Sequence, residues 1–188
     1  MDWLLSIVRI AGVSFPVASS LVQLQTEIDS KKLIERVRKL EDPISFLHED
    51  IPELSRLIYG QIRSTDSPKI AFDSEIYSKF RRPLAALEKL GCIKGSHAIG
   101  AMYVGGFWLS DPTFVMYMCA LEEDKRRMES LIDLVDKCPE GQWLKGSKIK
   151  EQIDVPMPVI AAVFEIYERK GFGLCSKEVG ATMYMGQA

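Results

Sequence analysis

"LAALEKLGCI", residues 84–93, and "FEIYERKGFG", residues 164–173, are the two stretches on which the fold turns. In each, a helical apolar pattern stops at a glycine, Gly91 or Gly171, and passes at once into a short strand-like run. Glycine is favoured just past the end of a helix because a positive φ costs it little. Two copies of one helix-to-strand ending, with further shared landmarks around them, predict an internal repeat of about 75 to 80 residues.

Upstream of the first copy, "PELSRLIYGQIRS" (52–64) has helical spacing, "TDSPK" (65–69) is a turn, and "IAF" (70–72) is a short apolar stretch. A second helix starts at Asp73 or Ser74, with Asp73 as its cap. Downstream, "CIKGSHAI" (92–99) and "GGFWLSD" (105–111) read as two strands around a glycine-rich turn.

The second copy is flanked in the same order. "QWLKG" (142–146) is strand-like, "SKIKEQI" (147–153) is a helix, and "DVP" (154–156) is a turn. The helix "MPVIAAVFEIYERKG" (157–171) then leads into the strands "FGLCSK" (172–177) and "TMYMG" (182–186). "LIYGQI" (57–62) stands opposite "LIDLVD" (131–136). Between the copies, Asp111 as N-cap and Pro112 at the first helical position open a helix of up to about 26 residues, closed by Pro139 and Gly141.

The order helix, short strand, helix, turn, third helix and two-stranded wing resembles the winged-helix superfamily over residues 52–188, with helix endings Leu84, Leu87, Gly91 and Phe164, Tyr167, Gly171. The fold expected is mainly α with small β wings: an N-terminal helical arm (1–42), a first winged-helix unit (43–111), and a spine helix with a second unit (112–188). The resemblance implies binding either to nucleic acid, through the third helix and wing, or to protein.

The side chains on those faces separate the two units. Lys79, Arg81 and Arg82 gather before Pro83 at the start of the first unit's third helix, and Lys94 lies on its wing. Arg56 to Gly106 carries eight basic against four acidic side chains. These four cations are the candidate contact to double-stranded DNA, where cations meet phosphates and polar side chains read base edges. The corresponding helix of the second unit offers Pro158, Ala161, Ala162 and Glu165 as presumed outward positions. None donates a hydrogen bond to DNA, so Pro158, Ala161 and Ala162 are expected at a protein contact with the first unit, a second subunit or another protein. Lys145, Lys148 and Lys150 precede that helix and read as a solvated face. Phe107, Trp108, Phe114 and Tyr117 cluster where the wing feeds the spine, and read as core rather than as a base-stacking platform.

The N-terminal arm supplies a second partner surface. Leu21, Leu24, Ile28, Leu33, Val37 and Leu40 recur at helical steps between Val17 and Leu40, after a shorter helix from Asp2 to Ala11 broken near Gly12 and Pro16. Trp3, Leu4, Ile7, Leu21, Leu24 and Ile28 are the expected interface with a protein partner or a second copy. Trp3 to Val22 approaches the length of a membrane span, but Arg9, Pro16 and four serines argue against one, and no basic region precedes it as in a signal peptide.

Net charge of -2 and a pI near 5.8 require any nucleic-acid site to be a local patch. Cys92, Cys119, Cys138 and Cys175 include no C-x-x-C pair, and neither His48 nor His97 stands at ligand spacing from them. Reduced thiols, a cytoplasmic location, and no metal or cofactor are therefore expected. "HED" (48–50) reads as a connector turn, and "GSHAIGAMYVGG" (95–106) lacks a phosphate-loop pattern, so no catalytic residues are assigned. Two functions remain: a dimeric DNA-binding regulator or accessory factor, and a protein adaptor within a larger assembly.

Overall fold

The computed structural model describes residues 48–96, 106–122, 125–176 and 182–187. The arm, with Trp3, Leu4, Ile7, Leu21, Leu24 and Ile28, lies outside the described residues, as do residues 97–105, His97 among them, and 177–181.

The first half opens with helix α1 (Ile51–Thr65), whose Ile51, Leu54, Ile58 and Ile62 share one face and are buried. Strand β1 (Lys69–Ala71) follows. Helix α2 (Ser74–Lys79) comes next, capped by Asp73, whose Oδ1 accepts the Ile76 N–H at 2.7 Å. Helix α3 (Arg81–Lys89) then buries Pro83, Leu84 and Leu87. Strands β2 (Ile93–Ser96) and β3 (Gly106–Leu109) complete a three-stranded antiparallel sheet in the order β1-β3-β2. Its inward face sets Phe107 against Phe72, with ring centroids 6.1 Å apart, and against Tyr77 at 6.4 Å.

Helix α4 (Pro112–Glu122) starts where expected, with Asp111 Oδ1 accepting the Thr113 N–H at 3.2 Å. Seven of its residues are buried, Phe114 through Cys119 without interruption. A helix buried on all sides needs cover from several elements. Here α1 packs on it from the first half and α7 (Met157–Arg169) from the second. Helix α5 (Lys125–Asp136) continues the expected spine; residues 123–124 between them are outside the described set.

The second half repeats the order. Strand β4 (Trp143–Lys145) leads through helix α6 (Gly146–Ile153) to α7, and strands β5 (Gly173–Cys175) and β6 (Met183–Gly186) follow. The sheet order β4-β6-β5 again places the last strand in the centre. Lys145, in the strand-like run 142–146, belongs to β4, whereas Lys148 and Lys150 lie on α6.

The repeat extends to individual hydrogen bonds. Gly91 (φ 74°) and Gly171 (φ 77°) both end their helices in the left-handed region. Their N–H groups donate to the Glu88 and Glu168 carbonyls, each at 2.9 Å. The Glu88 carboxylate accepts the Gly95 N–H and the Glu168 carboxylate accepts the Cys175 N–H, again each at 2.9 Å. The third helix of each half is thereby tied to the strand that follows it.

The two halves share one contiguous buried apolar cluster and a polar seam. Asp66, left-handed at φ 55° just past α1, accepts the Met157 N–H at 2.7 Å and so caps the start of α7 from 91 residues away. Its other oxygen lies 2.5 Å from Lys150 Nζ on α6. Arg169 Nη1 approaches Asp111 at 3.7 Å, and Arg63 Nη2 on α1 approaches Asp154 at 3.9 Å.

Candidate nucleic-acid interface

The third helix of the first half presents a cationic start. Phe80 at its N-cap makes no side-chain cap, and Arg81 and Arg82 occupy the first two helical positions, both exposed. Neither arginine has an ion-pair partner among the described residues. Cations at this end oppose the helix dipole by about 0.3–1 kcal/mol each, a cost that a bound phosphate would reverse. One turn on, Ala85 and Lys89 continue the Arg81 stripe, so a small residue separates two cations on the exposed side.

Lys79 is placed differently from its sequence assignment. It ends α2, its Nζ lies 2.8 Å from Glu53 Oε1 and it sits 4.8 Å from the centroid of the Phe80 ring. Both charged groups are more than half exposed, so the pair contributes little to stability, and it leaves Lys79 partly neutralised. Lys94 is exposed on β2 and has no carboxylate partner among the described residues.

The second half uses the same helix face in another way. In the 80-residue alignment Ala161 and Ala162 stand where Arg81 and Arg82 do, and Glu165 where Ala85 does. Pro158 and Ala162 are buried and Ala161 is half-buried. The face presumed to point outward is turned inward, because small side chains let α7 approach the spine helix α4 closely. An open groove of about 200 Å³ remains at this junction, with Pro68, Leu109 and Val115 in its apolar lining and Asp66, Asp111 and Glu165 as its carboxylates. Lys150 pairs with the first of these, and Arg169 with the other two.

The aromatic cluster divides. Phe107, Phe114 and Tyr117 are buried, whereas Trp108 is 44% exposed on the outward face of the sheet. It pairs in register with Lys69 on one side and Lys94 on the other. Sequence reasoning named Trp108 only within the core cluster and did not use Lys69. The available signal was strand alternation, which puts Phe107 and Trp108 on opposite faces. The matching row of the second sheet is Trp143, Met185 and Leu174. Trp143 and Leu174 are exposed large apolar residues, as is Phe172 beside them in the chain.

Burial raises several cysteine and tyrosine groups. Burial, reinforced by the nearby Asp111 charge, pushes the Cys92 thiol up to about 12. Burial and then Glu168 push Cys175 up to about 12. Burial also raises the Tyr167 hydroxyl, which donates a hydrogen bond to Asp136. Thiols held this high are poor nucleophiles at neutral pH. Among the described residues no group of three or more His, Cys, Asp and Glu side chains is placed to hold a metal ion. No helix among them is long and apolar enough to cross a membrane.

Comparison with protein-family models, curated protein sequences and solved structures finds no match to this chain, so its function rests on the chemistry of these faces.

Proposed function

We propose that each half is a winged-helix unit and that the chain is a non-enzymatic, cytoplasmic DNA-binding regulator or accessory factor, working as a dimer or complex subunit. Its first half contacts duplex DNA, and its second half docks on the first. The topology of each half supports the winged-helix reading: helix, strand, two helices and two strands, with the last strand central in the sheet. The observation that carries the DNA reading is the pair of exposed arginines, Arg81 and Arg82, in the first turn of the third helix, without an ion-pair partner among the described residues. Lys89 and Lys94 extend the same charge toward the wing.

Duplex binding measured by fluorescence anisotropy across a salt series tests this reading. Each phosphate contact contributes about 0.9 to the slope of log affinity against log salt. Replacing both Arg81 and Arg82 by alanine is expected to weaken binding several-fold and lower that slope by about 2. Undetectable duplex binding at low salt would overturn the proposal.

A protein-adaptor reading is favoured by one specific observation, the apolar row of exposed Trp143, half-buried Met185 and exposed Leu174 on the second sheet, with Phe172 nearby. If that row holds a protein partner, Trp143→Ala with Leu174→Ala releases a co-purifying protein while leaving duplex binding unchanged. Retention of the partner by that variant would count against the adaptor reading.

A further inference from the structure

The outward face of the first sheet is chemically uniform. Lys69 and Ala71 stand there on β1, Gly106 and Trp108 on β3, and Lys94 and Ser96 on β2. The register puts Lys69, Trp108 and Lys94 in one row across the strands, with Ala71, Gly106 and Ser96 in the next row toward the wing. The first row is thus two cations flanking an exposed indole, and the second is a floor of small side chains. No carboxylate stands on this side of the three strands, and neither lysine has an acidic partner among the described residues. Lys69 Nζ is 6.0 Å from the Trp108 ring centroid, the outer limit of a cation–π contact, so the ring face is not tightly covered.

The fold does not impose this composition. At the equivalent register of the second sheet, the same scaffold carries Trp143, Met185 and Leu174. An indole between cations also serves stability poorly. It exposes a large apolar surface to water, and it places a lysine on each strand beside the ring, their backbones about 10 Å apart.

We propose that this row binds a single-stranded nucleic-acid segment, with one unstacked base on the Trp108 ring and the phosphates on either side of it on Lys69 and Lys94. A duplex buries its base faces by stacking them on each other, so only a single-stranded or splayed segment offers one to Trp108. Alanine, glycine and serine in the neighbouring row let the sugar–phosphate chain pass close to the sheet. The proposal rests on the reading above for its class of ligand and adds a second contact on the wing sheet, separate from the Arg81 stripe on α3.

The test titrates the full chain with a fluorescently labelled oligodeoxythymidylate, reading anisotropy and tryptophan emission, alongside a duplex titration on the same proteins. Binding of the oligonucleotide is expected to quench part of the emission, and Trp108→Phe removes that quenching while Trp143→Phe does not. Trp108→Ala is expected to weaken oligonucleotide binding by about tenfold. Lys69→Ala with Lys94→Ala lowers its salt slope by about 1.4, at about 0.7 per phosphate on a single strand. Duplex affinity through Arg81 and Arg82 stays within about twofold in Trp108→Ala. All these substitutions are at exposed positions, and circular dichroism checks that the fold is retained.

Oligonucleotide affinity unchanged in Trp108→Ala would overturn the proposal, as would no oligonucleotide binding by the parent protein at low salt. If duplex binding persists in either case, the DNA-regulator reading stands without it. Oligonucleotide binding that depends on Trp108, with no duplex binding, would support this row and overturn the duplex reading.

Discussion

Asp66 is the residue through which the docking of the two halves is most directly tested. Its carboxylate accepts the Met157 N–H at 2.7 Å at the start of α7 and lies 2.5 Å from Lys150 Nζ. Its own backbone is left-handed at φ 55°. Three substitutions separate these roles. Asp66→Asn keeps an oxygen for the Met157 N–H and tolerates the left-handed backbone, so it removes only the ion pair. Both partners are about one third exposed, which limits that loss to about 0.2–1 kcal/mol. Asp66→Gly also removes the cap, for about 0.5–2 kcal/mol more. Asp66→Ala adds about 1 kcal/mol for a Cβ forced into left-handed backbone. The expected order of urea midpoints at constant m is parent, then asparagine, glycine and alanine, with the alanine variant about 2–4 kcal/mol below the parent.

The pH dependence of the same residue supplies an independent sign. Partial burial opposes ionisation of Asp66, but the Lys150 hydrogen bond, the Met157 N–H and the Lys150 charge together outweigh it and leave its carboxyl below the ordinary value of 3.8. A group whose folded value is depressed adds stability above its unfolded value and loses it as pH falls through the folded one. The difference between the parent and Asp66→Asn should therefore be constant from neutral pH down to about 5, shrink as pH falls through 3.8, and vanish below the folded value. An alanine variant within about 0.5 kcal/mol of the parent would refute the reasoning, as would an asparagine variant equal to it.

Further outcomes follow from the core. The Ser55 hydroxyl is fully buried and has no hydrogen-bond partner among the described residues, so Ser55→Ala is expected to raise stability by about 1 kcal/mol in the same urea assay. Gly173 lies under the Tyr184 ring, where an added Cβ would clash with both the ring and the Met185 carbonyl oxygen. Gly173→Ala should therefore cost about 1–3 kcal/mol or more, while Gly60→Ala, with open space around the new carbon, serves as the unstrained control.

The extent to which the site was legible differs residue by residue. The Asp73 and Asp111 caps and the helix-ending glycines Gly91 and Gly171 act through hydrogen bonds and dihedrals a few residues wide, and their sequence signatures were sufficient. Arg81 and Arg82 were legible as cations at a helix start. Lys79 was not legible as a partner of Glu53, which lies 26 residues earlier. Trp108 was hidden because aromatic clustering was read without the two-residue alternation that separates it from Phe107.

Taken alone, the sequence determined the element order, the caps and the near 80-residue repeat, because periodicity, capping and glycine conformation depend only on neighbours along the chain. Tertiary structure decided which copy of each repeated face meets solvent. The α7 face bearing Pro158 and Ala162 is buried against α4, while the matching α3 face, bearing Arg81 and Arg82, is open. That asymmetry comes from contacts such as Asp66 with Met157, between residues 91 positions apart. No local pattern encodes them, since burial of a face depends on whichever surface comes to lie against it.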